Sequence, residues 1–522
     1  MLNKISSWKK AFGKNFKKDK SEYIGVLFIL IAAFFVRVYR VDELLGFYFD
    51  QGRDALVIWD LIKNGRLFLI GPVTGLPGIF WGPFFYYLLA PFYFLGQGNP
   101  VYPAVFLAAL STFAVFMLYY LGKTMHSKEA GILAAIIGAF SYHIFLTSRW
   151  LSNPNPILLS SVVLLWALWK IVQRKGGRWW VLAALIVGIS LHFEAASAVF
   201  YIPLFAIFTI WQVAIYKTSG GKNGNIPGIK TALLSAAVFF ATLLPQILFD
   251  FRHGHILFNN FSELFLEERA FSGITKYLLE TRLEFFWSGF SNLVFINSPQ
   301  VAKFVFGFLT LFYIANGKKF KKGLTPLFAI FLLTPVLGYL FFHGNHGAVY
   351  TYYISGYFLP FILLTALLLG ELWRQRKGMV LVVVFMFLFF IPNGKLVKDY
   401  LVNPVNGETD IYFKNQMAAV DWVFEDARDK EFDKFNVDVY VPPVIPHAYD
   451  YLFLWQGTER CGGGLCGLVE EEMVPSLYTL YETDPPHPER LEAWLARQEG
   501  IGEVIEEVEF GGITVQRRER FE

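Results

Sequence analysis

The chain has 522 residues, of which 55% are hydrophobic, 18% are aromatic and only 17% are charged. A soluble domain carries about 25% charged residues, so this composition excludes a soluble enzyme of this size and favours a membrane protein. The net charge of +4 is unevenly distributed, because seven lysines lie in the first twenty residues. Such a segment binds nucleic acid or anionic lipid in other proteins. Here an apolar run follows directly, so residues 1–21 predict a cytoplasmic N-terminus that orients the first span, with no nucleic-acid partner.

Apolar runs, taken in chain order, predict about eleven membrane-spanning helices. A span needs about twenty residues, with roughly 17 to 25 acceptable. The predicted spans are 22–40, 101–122, 129–147, 155–173, 179–193, 198–216, 231–250, 301–316, 324–342, 350–372 and 377–392. The sequence therefore predicts an all-α polytopic membrane bundle over residues 22–392.

A further apolar run, 82–96, decides the topology. If it does not cross the membrane, the basic loops all fall on the side of the N-terminus, as the positive-inside rule requires. The basic loops lie around 123–128, 174–178, 217–230, 318–322 and 374–377. We therefore predict that 82–96 is a juxtamembrane or re-entrant helix, and that the long loops 41–100 and 251–300 are external.

The tail, residues 393–522, then lies outside the cytoplasm, and its pattern is that of a small soluble α/β domain. Helices are predicted over 422–429 and 488–498, and strands over 437–441, 476–481 and 512–516. Two cysteines, Cys461 and Cys466, bracket three glycines. In an oxidising compartment they form a local disulfide or remain two thiols, and the sequence leaves both alternatives open.

Ionisable residues near the spans gather at the predicted outer ends. They are Asp50, Arg53, Asp54, His143, Arg149, His192, Glu194, Asp250, Arg252, His253, His255, His343 and His346. Any one of them is explained as an ordinary interfacial residue. The whole set on one face, next to long loops, indicates a functional site.

The first external loop carries the densest part of this set. Its apolar spacing predicts a helix over 50–63, which places Asp50 and Asp54 on one face beside Arg53. Two carboxylates and an arginine there are suited to activating a hydroxyl and binding a phosphate. The alternative is a solvated helix start with acids at the positive end of the dipole. Aromatic residues on the same face, including Tyr352, fit an interfacial belt or a surface that stacks on sugar rings.

Common cofactor motifs are absent from the sequence, which has no Walker A motif, no G-x-G-x-x-G after a strand and no H-E-x-x-H. His343 and His346 flank a Gly-Asn pair and are able to hold a divalent metal, but glycine-rich loops often carry histidines without one, and no metal is expected. No other cofactor is expected.

Three segments resemble one family. Phe49-Asp50-Gln51-Gly52-Arg53-Asp54 resembles the acidic first-loop motif of the GT-C membrane glycosyltransferases. The relevant branch contains the protein O-mannosyltransferases and the lipid A aminoarabinose transferases. Residues 81–89 are similar to the proline-and-aromatic segment of that branch, and 147–155 to its arginine motif at the outer end of a span.

The resemblance implies a reaction. A polyprenyl-phosphate sugar donor lies in the membrane with its head group in an external cavity, and a hydroxyl of a lipid, glycan or protein acceptor attacks the anomeric carbon. Asp50 is implied as the general base, and Glu194 as a second carboxylate for a sugar hydroxyl or the acceptor. The candidate substrate-binding residues are Arg53, Asp54, Arg149, His192, Arg252, His253, His343, His346 and Tyr352.

The main alternative is a transporter or flippase of lipid-linked glycans. A coupled transporter is expected to carry ionisable groups near the midplane and an internal repeat, and the sequence shows neither. A ligase or polymerase of lipid-linked glycans would use a similar external face, whereas a pure scaffold does not explain the polar cluster. The predicted location is the plasma (inner) membrane.

Overall fold

The computed structural model describes residues 20–74, 78–263, 275–342, 348–403, 407, 409–442 and 445–521. Most of the basic N-terminal segment lies outside the described residues, as do His343 and His346. The predicted role of those two histidines in substrate binding stays a prediction, as does the expectation that they hold no metal.

Helices fill the described chain as far as residue 402. They are α1 (Lys20–Val38), α2 (Val41–Leu44), α3 (Phe49–Asn64), α4 (Phe84–Leu95), α5 (Val101–Met125), α6 (Lys128–Phe140), α7 (Tyr142–Arg149), α8 (Ile157–Val172), α9 (Arg178–Ser190), α10 (Ala195–Ala198), α11 (Tyr201–Thr218), α12 (Ile229–Arg252), α13 (Ile256–Ser262), α14 (Lys276–Ser291), α15 (Pro299–Asn316), α16 (Leu324–Phe341), α17 (Phe358–Trp373) and α18 (Gly378–Val402). Short 3₁₀ turns lie at Gly317–Lys319 and Thr351–Tyr357.

Each predicted span coincides with apolar helix. In the described chain, eight helical stretches are long and apolar enough to cross a membrane, and α6 with α7 forms a ninth, bent by 60°. Helices α8 and α9 are apolar but shorter. The prediction of a polytopic helical membrane bundle is confirmed, and the protein is an integral membrane protein. The last helix of the bundle, α18, ends at Val402, ten residues beyond the predicted end of the last span at 392.

The bend between α6 and α7 is stabilised by a buried amide. Because the helix breaks at Ser141, the backbone N–H of Tyr142 does not bond to a carbonyl one turn earlier. It donates instead to Oδ1 of Asn393 at 2.8 Å. Asn393 is fully buried and donates to the carbonyls of Val294 and Phe389 at 3.0 and 2.8 Å. A backbone group inside a membrane needs such a partner, because no water is available to it.

Basic loops meet at one end of the bundle, which we call the inner end. The contacts are Lys319, Arg374 and His126 with Glu371, Lys321 with the carbonyl of Thr124, and Arg174 with the carbonyl of Lys222. These contacts join loops that the sequence places on one side of the membrane.

Helix α4 has both of its ends at the opposite, outer end. Just before it, Trp81 lines a cavity together with His447 of the tail. Just after it, the carbonyl of Gly98 accepts a hydrogen bond from the hydroxyl of Tyr451, also in the tail. Since the same tail helix meets both ends, α4 does not cross the bundle.

The tail is a small α/β domain. Its elements are α19 (Phe413–Asp429), β1 (Asn436–Tyr440), α20 (His447–Arg460), β2 (Ser476–Glu482), α21 (Pro488–Glu499), β3 (Gly502–Phe510) and β4 (Ile513–Arg520). The sheet order is β1-β2-β4-β3, with β1 parallel to β2 and the other pairs antiparallel. The predicted helices and strands are present, whereas α20 and β3 are additional. Cys461 and Cys466 are bonded to each other.

Candidate active site

A cavity of about 750 Å³ opens at the outer end, between the bundle, the first external loop and the tail. It is lined by Phe49, Asp50, Arg53, Pro72, Val73, Thr74, Ile79, Trp81, Trp150, Ser152, Asn153, Pro154, Glu194, Ala195, Ala196, Val199, Phe200, Phe261, Tyr339, Phe342, Tyr352, Tyr353 and His447. Most of the wall is apolar or aromatic, with a few charged groups, as in sites that bind an amphipathic small molecule. The structure thus brings Asp50, Arg53, Glu194 and Tyr352 together.

The first turn of α3 presents a carboxylate to this cavity. Nη1 of Arg53 lies 2.8 Å from Oδ1 of Asp50, and its Nη2 lies 2.8 Å from Oδ1 of Asp54. Tyr86 donates a hydrogen bond to the same oxygen of Asp54 at 3.1 Å. Asp54 is buried, and burial raises its pKa to about 6. The side chain of Asp50 is 51% exposed. Asp54 therefore binds Arg53 on the buried side, while Asp50 faces the cavity.

Glu194 is the second carboxylate on the cavity wall, between α9 and α10. It is 1% exposed, and Oε2 accepts a long bond of 3.5 Å from Nδ2 of Asn153. The backbone N–H of Ala196 faces the carboxylate, whereas Oε1 has no hydrogen-bond partner among the described residues. A buried polar oxygen without a partner costs about 1–3 kcal/mol. A hydroxyl of a bound molecule would satisfy it.

Aromatic rings form the wall next to Glu194. The rings of Tyr350 and Tyr352 are nearly parallel, with centroids 5.5 Å apart and an angle of 3°. Trp150 meets Tyr352 edge to face at 6.0 Å. Flat ring faces of this kind suit the C–H face of a sugar or the first units of an apolar chain.

Arg149, predicted to bind substrate, lies elsewhere. Its Nη1 donates to the carbonyls of Val36, Arg37 and Tyr39 at 3.2, 2.9 and 2.9 Å. Val36 and Arg37 lie in the last turn of α1 and Tyr39 directly follows it, where carbonyls lack intrahelical donors. A cation at a helix C-terminus is also favourable. Arg149 therefore anchors the end of α1 and does not line the cavity.

His192 also binds backbone groups of the protein and does not line the cavity. Its ring is buried between the bundle and the loop before α4, with Nε2 2.8 Å from the carbonyl of Thr242 and Nδ1 3.4 Å from the backbone nitrogen of Phe84. A Cβ on Gly82 would lie 1.9 Å from this ring, so the glycine makes room for it. Both ring nitrogens are thus occupied within the protein.

Arg252 and His253 end α12 at an exposed corner away from the cavity. Nδ1 of His253 lies 2.8 Å from the carbonyl of Phe249, and the two rings are stacked at 4.0 Å. Neither residue lines the cavity, although the sequence placed both on the correct face. Sequence position gives the end of the bundle at which a residue lies, but not the direction in which its side chain points.

Two basic residues on or next to the cavity wall were not predicted. His447 reaches the cavity from the tail. Arg282 of α14 is buried, and its Nη2 donates to the carbonyl of Phe342, a residue of the cavity wall, at 3.2 Å. Arg282 lies in a helix that also carries Lys276, Glu280 and Glu284, so the sequence does not single it out. For His447 the sequence offers no signal, because only the folded tail brings it back to the first loop. Within the described ranges, no three His, Cys, Asp or Glu side chains are grouped to hold a metal.

Residues 81–244 match the family model for dolichyl-phosphate-mannose-protein mannosyltransferase. The whole chain is similar to ArnT from Cupriavidus metallidurans in the apo state, at 9% identity, with 96% of this chain and 98% of that chain covered and a TM-score of 0.59. The chain has the GT-C fold. The structure of the same ArnT bound to undecaprenyl phosphate aligns over the same shares at 10% identity and a TM-score of 0.57. No curated protein sequence matches the chain significantly.

The GT-C fold and the family match agree on the same part of the chain. The matched segment, 81–244, carries Trp81, the Asn153 loop and Glu194, all of which line the cavity. The predicted resemblance and the prediction of a membrane glycosyltransferase are confirmed.

Proposed function

We propose that the protein transfers a sugar from a polyprenyl-phosphate donor to an acceptor hydroxyl at the extracytoplasmic face of the plasma (inner) membrane. The observation that carries the proposal is the Asp50–Arg53 pair on the wall of an amphipathic cavity at the outer end of the bundle. The ArnT structure that contains undecaprenyl phosphate has the same fold, which supports a lipid-phosphate donor here. The acceptor is a lipid, a glycan or a protein.

The reaction follows from the positions of the two carboxylates. The acceptor oxygen forms a bond to the anomeric carbon of the donor, and the bond from that carbon to the phosphate oxygen breaks. The phosphate leaves with the bonding electrons, and Asp50 takes the proton of the acceptor hydroxyl. Glu194 binds a sugar hydroxyl through Oε1, which orients the ring for attack.

Positive charge near the cavity supports the leaving phosphate. Arg53 lies on the wall, and Arg282 lies directly behind Phe342. Both arginines are largely buried, and in a site of low dielectric a fixed cation stabilises developing negative charge more than it does in water. We assign stabilisation of the leaving phosphate to Arg282, in place of the predicted Arg149, Arg252 and His253. Arg53, which is paired with Asp50, orients the base.

The orientation rests on charge. The basic loops of the inner end fit the cytoplasm by the positive-inside rule, and the bonded cysteines of the tail fit an oxidising compartment outside it. We therefore propose a cytoplasmic N-terminus and an extracytoplasmic tail.

The test is a transfer assay with the purified full chain in detergent and a panel of radiolabelled polyprenyl-phosphate sugars. We expect the wild type to release or transfer sugar from one donor, and Asp50→Asn to lower the rate by about 100-fold or more, since general base catalysis contributes roughly 10²–10⁴-fold. The matched control is Asp60→Asn, because Asp60 is an aspartate of the same helix that lies outside the cavity wall. It should retain the wild-type rate.

Two other results would change the assignment. Equal rates in the wild type and Asp50→Asn would remove Asp50 from the mechanism. No turnover with any donor, together with movement of lipid-linked glycan across liposomes that contain the protein, would replace the enzyme with a flippase.

A further inference from the structure

The tail contributes one described residue to the cavity wall, His447. It is the first residue of α20, and its ring packs against Phe49 with centroids 5.1 Å apart. Phe49 directly precedes Asp50, so His447 lies on the same side of the cavity as the proposed base. In the proposed reaction Asp50 takes the proton of the acceptor hydroxyl, but no group assigned so far positions that hydroxyl.

The position of His447 is fixed by close backbone packing. A Cβ on Gly52 would lie 2.3 Å from the backbone carbonyl of His447 and from the nitrogen of Ala448. Further along α20, Nε1 of Trp455 donates to the carbonyl of Gln97 at 2.9 Å. Helix α20 is thus held against both α3 and the end of α4. The tail is a wall of the site, and its histidine is held in place beside Asp50.

Among the described residues, one ring nitrogen of His447 has a partner and the other has none. Nδ1 lies 3.2 Å from Oδ2 of Asp450, one turn along α20. A carboxylate on Nδ1 keeps the proton on that nitrogen and orients the ring, as second-shell carboxylates do in other histidine sites. Nε2 is then the hydrogen-bond acceptor that a bound hydroxyl can use.

The geometry of the reaction indicates whether the hydroxyl that binds Nε2 of His447 belongs to the donor or to the acceptor. In a displacement, the nucleophile and the leaving phosphate lie on opposite sides of the anomeric carbon. The donor enters from the membrane, where Val199, Phe200 and Phe342 form the apolar wall. Asp50 and His447 lie on the other wall, between the first loop and the tail, so the acceptor occupies that side.

We propose that His447, oriented by Asp450, binds the acceptor and positions its hydroxyl against Asp50. The inference rests on the proposed function. It names the acceptor chemistry as a hydroxyl-bearing group that reaches the site from the aqueous side, under the tail. It also assigns the tail a part in the choice of acceptor.

The experiment uses the purified full chain, the donor that the transfer assay identifies, and octyl glycosides as hydroxyl probes. We expect His447→Ala to raise KM for the probe by about tenfold, the loss of roughly one hydrogen bond. His447→Gln, which keeps an acceptor atom, should fall between the wild type and His447→Ala. Affinity for undecaprenyl phosphate, measured by direct binding, should stay within about twofold of the wild type in both variants.

The matched control is His487→Ala. His487 is a tail histidine with the same kind of carboxylate contact, 3.3 Å to Glu489, and it lies outside the cavity wall. Equal melting temperatures of the three variants would show that each is folded. An unchanged KM in His447→Ala would overturn the acceptor role. A rise in KM together with a loss of affinity for undecaprenyl phosphate would overturn it too. A wild type with no transfer at all would instead overturn the proposed function.

Discussion

Each end of the bundle holds a buried carboxylate, but the two carboxylates differ in the partners that the protein provides. At the inner end Glu371 lies 3.2, 3.3 and 3.7 Å from His126, Lys319 and Arg374. At the outer end Glu194 is more deeply buried, and no described cation forms an ion pair with it. The inner carboxylate is therefore satisfied within the protein, whereas the outer one has an oxygen without a partner among the described residues, and we propose that a ligand supplies that partner.

This difference separates structural charge from functional charge. Removing an isolated carboxylate from water is unfavourable unless cations or hydrogen bonds compensate it. A protein that needs its carboxylate only for stability provides the compensation, as at Glu371. Incomplete compensation on a cavity wall marks a group whose partner arrives with the substrate.

The sharpest test of this comparison replaces each glutamate with glutamine, so that an amide nitrogen takes the place of one carboxylate oxygen. We expect Glu194→Gln to lower the transfer rate by about 100-fold, because a substrate contact made in the transition state is lost, and to leave stability equal or higher. We expect Glu371→Gln to keep the rate within about threefold and to lower stability by roughly 1–3 kcal/mol, because charged partners remain without their counterion. The transfer assay and thermal melting measure the two effects.

The comparison would be broken by the reverse pattern. A stability loss in Glu194→Gln with full activity would make Glu194 structural. A large loss of rate in Glu371→Gln at wild-type stability would show that the inner end takes part in the reaction.

A second, smaller effect concerns the contact between α3 and the tail. Gly52→Ala places a Cβ 2.3 Å from backbone atoms of His447 and Ala448, and backbone cannot move aside as a flexible side chain can. We expect α20 to shift away from Asp50 and the transfer rate to fall by roughly 10- to 100-fold. Gly25→Ala is the control, because a Cβ on Gly25 meets nothing within 4 Å. Full activity in Gly52→Ala would show that the tail does not form a wall of the site.

The smallest effect concerns a buried carboxyl in the tail, Glu482. It accepts hydrogen bonds from Tyr449 at 2.9 Å and from Gln416 at 3.4 Å, and Gln416 also donates to the carbonyl of Phe47 in the first loop. Burial raises the pKa of Glu482 from 4.5 to about 7. The folded state therefore binds this proton more tightly than the unfolded chain does. Stability should fall as pH rises from about 4.5 to 7 and then level off, by on the order of 2 kcal/mol.

Thermal melting between pH 4.5 and 8 measures this dependence. Glu482→Gln should flatten it in part, because Asp54, with its pKa raised to about 6, contributes with the same sign. A Glu482→Gln variant with the full wild-type pH dependence would show that burial does not raise the pKa of Glu482 in the folded protein.

The sequence by itself determined the membrane architecture. Span length, apolar runs and the sidedness of lysine and arginine follow from the thickness and low polarity of the bilayer, so the helices, their order and the non-crossing α4 were predictable. The Asp50–Arg53–Asp54 group was predictable too, because residues three and four apart share one face of a helix.

Only the tertiary structure decided which polar residues meet. Arg149 and His192 carry strong sequence signals, but backbone groups released at helix ends and loops bind them first. His447 comes from nearly 400 residues beyond Asp50 in the chain, through a tail whose docking depends on a glycine and two aromatic side chains. Long-range packing of this kind leaves no periodic pattern in the sequence, because it depends on shape complementarity between surfaces that exist only after each part has folded.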